Sequence, residues 1–183
     1  MFPSLFRRKA RAERDDDTVW ATSEARLRAV LATPGARLVA HFDETRRALQ
    51  ALAREGGRPV DVALAAGLVP PPERDPGLLV VVAERHPLRE HDERVAEWAD
   101  AAAGRIAFHV SLEDAPIALF AGERFRGVLE RLGLAPDTPI RSRLVSRAIE
   151  GAQDRIRREA TGDMPSASSA GWLQANGFSG RRP

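Results

Sequence analysis

The sequence predicts an α/β protein: a small, mostly parallel, doubly wound sheet with helices packed beside its C-terminal part. Three observations carry this. Short apolar runs alternate with helix-period segments through the first two thirds of the chain. The run Leu78–Ala83 is continuously apolar, as a strand buried on both faces is. From Ser111 onward the periodicity is helical only.

The elements follow in order. "ATSEARLRAVLATPG" reads as a helix with Thr22 or Ser23 as its cap, an apolar face of Leu27, Val30 and Leu31, and a stop at Pro34-Gly35. Ala36–Phe42 reads as a strand. Asp43 is a suitable N-cap for "ETRRALQALARE", which ends at Gly56-Gly57. "PVDVALAAG" is a second strand, and prolines make a loop of Leu68–Gly77. After the Leu78–Ala83 strand, a helix carries Leu88, Val95, Trp98, Ala99 and Ala102 on one side. Arg105–Ser111 is a fourth strand. Ser111 with Asp114 reads as a capping pair, not as a nucleophile with its acid, because the G-x-S-x-G elbow is missing. Phe125, Val128, Leu129 and Leu132 mark one further helix, and Val145, Ile149, Ala152 and Ile156 a longer last one.

This gives a basic tail over 1–14, a folded domain over 15–158 and a disordered tail over 159–183. Within the last, Trp172, Leu173 and Phe178 form a candidate docking motif.

Composition narrows the function. The chain has 183 residues, 43% hydrophobic and 30% charged, enough for one core plus tails. It has no cysteine, so thiolate and disulfide chemistry are excluded. No apolar run approaches the ~20 residues of a membrane span, and no apolar stretch of the signal-peptide kind follows the basic start. A cytoplasmic protein is expected. The net charge is only +2, with basic and acidic residues interleaved, which disfavours nucleic acid as a partner. Arg7, Arg8, Lys9, Arg11 and Arg14, followed by Asp15-Asp16-Asp17, read as a solvated stretch, with contact to an anionic membrane surface as the sharper alternative.

Lys9 is the only lysine, so no G-x-x-x-x-G-K-[ST] phosphate loop exists in this chain. His86 and His91 are five apart, a poor spacing for one helix face, and no H-E-x-x-H occurs; no metal is expected. What remains is Glu84-Arg85-His86, at the carboxyl end of the most apolar strand, where α/β proteins often bind ligands. An acid–base pair and a strand-end ion pair with a satisfied histidine are both open readings of it.

The order of these segments resembles the second nucleotide-binding domain of SecA, the preprotein translocase motor. "DDDTVWATSEARLRAV" is similar to the family's opening turn and T-E-x-A-K-[FL]-x-A-V helix. "VVVAERHPLREHDERV" is similar to I-G-T-E-R-H-E-S-R-R-I-D-N-Q-L. The fullest likeness lies in Ser111–Asp114, Phe120, Arg124, Leu132-Gly133, Pro139-Ile140, Val145, Arg147-Ala148-Ile149 and Ala152-Gln153. The resemblance is collinear over roughly residues 13–157 and implies a RecA/helicase-like sheet and a place in bacterial protein export.

The departures from the family pattern concern catalysis. The chain holds no counterpart of the first nucleotide-binding domain. A-G-R-G-T-D is replaced at its last four places by Leu68-Val69-Pro70-Pro71. Q-L-R-G-R-A-G-R becomes Arg94-Val95-Ala96-Glu97-Trp98-Ala99-Asp100-Ala101, without its arginines. Such arginines stabilise charge on a transferring phosphoryl group. The resulting expectations are a degenerate motor domain that is not an enzyme, needs no cofactor, and acts by binding a protein, either a translocase motor or a channel component. Glu84, Arg85, His86, Arg89 and Asp92 are its remnant-cleft or interface candidates. Half of a nucleotide site completed by a P-loop chain, or a nucleic-acid-binding module, are the alternatives.

Overall fold

The computed structural model describes residues 15–70, 73–120, 127 and 138–179. Its elements are β1 (Thr18–Trp20), α1 (Ser23–Leu31), β2 (Arg37–Ala40), α2 (Asp43–Glu55), β3 (Val62–Leu64), β4 (Leu79–Val82), α3 (Arg89–Ala101), β5 (Arg105–Ser111), α4 (Ala115–Phe120), β6 (Ile140–Arg141), α5 (Arg143–Glu159) and α6 (Ser169–Leu173). A wide turn, Gln174–Phe178, follows α6.

The sheet order is β3-β2-β4-β5-β1-β6. All neighbours are parallel except β1 and β6. The α/β, doubly wound expectation holds. Apolar residues of α1 and α2 (Val30, Leu49) pack with Leu38, Ala40 and Val81 on one face of the sheet. Val95 and Ala99 of α3 pack with Val80, Val82 and Phe108 on the other. Farther along that second face, Val145 and Ile149 of α5 cover Val19 and Val110.

Local rules explain most boundaries. Thr22 caps α1, its Oγ1 accepting the Ala25 N–H at 3.2 Å. Gly104 ends the α3–β5 turn where a Cβ would lie 2.8 Å from the Leu78 carbonyl oxygen, so only glycine fits. The stripe Val145, Ile149, Ala152 and Ile156 is buried along α5 as the spacing predicts. The helix expected around Phe125–Leu132 lies outside the described residues, as do the basic tail and Arg124.

Three expectations are corrected. Asp15-Asp16-Asp17 is not simply a solvated run. Asp17 is buried beside Arg85, and β1, unforeseen, starts at the next residue and inserts between β5 and β6. Three residues are too few to show an alternation. Asp43 is the first residue of α2 and not its cap; it pairs with Arg46 and Arg47 instead. Residues 159–179 are ordered. Trp172, Leu173 and Phe178 pack with Phe42, Leu88 and Ile156 in one apolar cluster, so the motif docks onto its own domain. The missing periodicity misled because this segment is held by one buried amide. Asn176 Nδ2 donates to the Met164 and Trp172 carbonyls at 3.0 and 2.8 Å, and Oδ1 accepts the Met164 N–H at 2.7 Å.

Candidate functional site

Helices α2 and α3 lie on opposite faces of the sheet, and the chain leaves β2 and β4 in opposite directions along it. β2 and β4 are adjacent, so the topological switch point lies between them. Open α/β sheets place ligands at the carboxyl ends of such strands. Here those ends present His41 and Phe42 from β2, and Glu84, Arg85 and His86 from β4.

Glu84 is a clamp. Its Oε1 accepts the N–H groups of His41 and Phe42 at 3.1 and 3.0 Å, and its Oε2 accepts from Thr45 Oγ1 at 2.7 Å. The end of β4 thereby anchors the turn that leads into α2; no side chain caps that helix, and its Glu44 N–H donates to the Ala167 carbonyl instead. Burial pushes the Glu84 carboxyl above the ordinary range, against the pull of Arg26 and the Thr45 hydroxyl. Replacing Glu84 with glutamine keeps an acceptor for both amides and is expected to cost under about 1 kcal/mol. Alanine strands two buried N–H groups and is expected to cost about 1–3 kcal/mol. Urea denaturation of the two variants distinguishes them.

Arg85 is locked. Its Nε and Nη2 reach Asp17 Oδ1 at 2.8 and 2.6 Å, and Nη1 reaches Asp92 Oδ2 at 3.1 Å. The guanidinium lies 3.7 Å from the centre of the Phe108 ring. Burial alone would lower its pKa, but Asp92 and Asp17 raise it above the ordinary value. This arginine is spent on the fold and does not face the crevice. Arg89 is different: half-exposed, it pairs with Glu93 at 3.0 Å and Glu150 at 3.6 Å.

Asp92 is the hub, only 1% exposed. It accepts from Arg85, from the His86 N–H at 3.0 Å and from Gln153 Nε2 at 2.6 Å, and His41 Nε2 stands 2.8 Å away. Burial would raise its pKa, but Arg85 and His41 pull it far below the carboxylate range. The same Gln153 amide also donates to the His86 carbonyl at 2.8 Å, tying α5 to the crevice.

His86 stacks on Phe42 at 5.3 Å and on His91 at 3.8 Å, and meets the edge of Trp172 at 5.5 Å. Its Nδ1 accepts the Leu88 N–H at 3.0 Å. Burial, then the charges of His41 and His91, lower its pKa to about 3. His109, buried beneath Trp20 and near Arg141 and Arg26, is lowered to about 4. Both rings stay neutral in the fold while the unfolded chain takes up their protons below about pH 6.5. Stability therefore falls as pH drops from 6.5 toward 4, by roughly 1.4 kcal/mol per pH unit for each ring while its folded form stays neutral. Urea midpoints at pH 7, 5.5 and 4.5 test this; a flat profile contradicts it.

Beside these groups a cavity of about 500 Å³ opens, within the range of small-ligand sites. Phe42, His86, His91, Arg94, Trp98 and Asp163 stand on its wall. Of the sequence-stated candidates, Glu84, Arg85, His86 and Asp92 form one buried network, and Arg89 lies outside it. Asp17, His41, His91, Gln153 and Asp163 were missed as members. Only Gln153 carried a signal, as a glutamine on the apolar stripe of α5.

The parallel sheet, the helices on both faces and the charged crevice at the switch point define a RecA-like, doubly wound α/β domain. Comparison with known proteins goes further. Over 102 residues, 55% of this chain, it is 39% identical to the protein translocase subunit SecA of Clostridium novyi. The SecA of Syntrophobacter fumaroxidans is 35% identical over 107 residues, and that of Heliobacterium modesticaldum 37% identical over 102. The chain is thus related to the SecA family over about half its length. The matched stretch covers 12% of each relative's own length. No protein-family model matches.

This overturns the expectation that the chain is not an enzyme. Its relatives carry the name of a translocase, an enzyme. Among the described residues no helix is long and apolar enough to cross a membrane.

Proposed function

We propose that the chain works in protein translocation, as a counterpart of the SecA second nucleotide-binding domain that acts in contact with another protein of the export machinery. The observation that carries this reading is the 35–39% identity to three translocase subunits. The partner is a translocase motor or a channel component. The site of action is the cytoplasm, with the basic N-terminal stretch offering contact at the inner membrane. The test is affinity capture of the tagged full chain from its native host at moderate ionic strength. Recovery of a motor or channel component supports the reading. Recovery of the chain alone, or of unrelated complexes, removes export from it.

A second reading is favoured by the cavity at the switch point: a nucleotide site shared with a chain that supplies the P-loop. Arg85 is not the residue to test there, since two carboxylates hold it. Arg94, exposed on the cavity wall, is. ATP hydrolysis by the mixture above the sum of the separate chains, reduced tenfold or more in Arg94→Ala, supports it. A merely additive rate eliminates it.

A further inference from the structure

The sequence spacing of His86 and His91 argues against a shared metal, but the fold brings them together. His86 precedes α3 and His91 lies in its first turn, which stacks the two rings. The C-terminal segment then delivers Asp163, whose Oδ2 sits 2.8 Å from His91 Nε2. One ligand atom from each of His86, His91 and Asp163 lies within 4.8 Å of the others. We propose that these three residues bind a divalent transition-metal ion, zinc in the first instance, on the wall of the crevice cavity.

Three features support the assignment. Two imidazoles and one carboxylate are a donor set for zinc and its neighbours in the first transition row, not for calcium or magnesium. Asp163 is oriented as a ligand carboxylate is: its Oδ1 accepts the Trp172 Nε1–H at 3.0 Å, which leaves Oδ2 facing the histidines. All three residues line the 500 Å³ cavity, so an ion there keeps a coordination position open to water or a small ligand.

Binding has a defined cost. A tetrahedral ion spaces its donors about 3.4 Å apart, so His91 and Asp163, both partly exposed, close toward His86. Ligation through His86 Nε2 places the ring proton on Nδ1 and gives up the Leu88 N–H bond. That loss lowers affinity by roughly ten- to a hundredfold relative to a site without it. The expected Kd for zinc is on the order of 1 µM, weaker than a closed structural site. The ion is independent of the translocation reading and stands or falls separately.

The test uses the untagged full chain, freed of metal with a chelator. It is titrated with Co²⁺ by visible absorption and with Zn²⁺ by calorimetry. One equivalent is expected, with the ligand-field bands of a low-coordinate nitrogen–oxygen site. His91→Ala and Asp163→Asn are each expected to weaken zinc at least tenfold. Both sit at partly exposed positions, so their metal-free melting curves report separately whether the fold is intact. Absence of stoichiometric binding tighter than about 100 µM, two orders above the expected Kd, overturns the site. So does wild-type affinity in both variants.

Discussion

Asp92→Ala is expected to destabilise the protein by about 3–5 kcal/mol, the range for breaking a buried ion pair from one side. The reason lies in what remains. Arg85 keeps Asp17 but loses its second carboxylate, while the His86 amide and the Gln153 side chain lose an acceptor in a place water does not reach. Asp92→Asn keeps the volume and loses the charge, so it falls between alanine and wild type. Arg89→Ala, three residues earlier on the same helix, is expected to change stability by less than about 1 kcal/mol, because its partners are surface carboxylates. Urea denaturation with unchanged m-values decides the matter. Equal effects at positions 89 and 92 would mean that the buried network is not what holds this end of the sheet.

Trp172→Ala is the second large effect, about 3–5 kcal/mol for a fully buried aromatic. The indole touches His86 edge-on, donates to Asp163, and completes the cluster of Phe42, Leu88 and Ile156. A chain ending at Arg158 loses Leu173 and Phe178 as well and bares that cluster. It is expected to bind a hydrophobic dye and to melt without a sharp transition. A sharp melt at the wild-type temperature would show that the C-terminal segment only rests on the domain. A partner search that relies on this truncation would therefore compare a folded protein with an impaired one.

The layout of the fold was legible where periodicity is long. β4, α2, α3 and α5 carry runs that admit one reading, and each lies where the spacing puts it. The short strands β1 and β6 were not legible, since three and two residues carry no period. The site was legible by half. An abrupt Glu84-Arg85-His86 after an apolar strand marked the place. The partners could not be read, because Asp17 and Gln153 reach Arg85 and Asp92 from 68 and 61 residues away, and His41 arrives from a neighbouring strand. The C-terminal segment failed for a different reason. Its order comes from Asn176 satisfying three backbone groups and from three large side chains entering a socket, neither of which has a periodic signature.

That architecture has a consequence for synthesis. The N-terminal strand pairs with β5 and β6, and the Asp17 amide donates to Ser146 Oγ, 129 positions later. Trp172 and Phe178 complete the apolar cluster around Phe42 and Leu88 more than eighty positions after them. During synthesis β1 has no neighbours until residue 105 and beyond has emerged, and Arg85 has one carboxylate at most in reach until the sheet closes. Non-local pairings of this kind are slow to form, so the nascent chain spends its elongation with an open strand edge and an exposed apolar socket. A chaperone that shields both until Trp172 and Phe178 have been made, and lets go afterwards, is the helper this topology calls for.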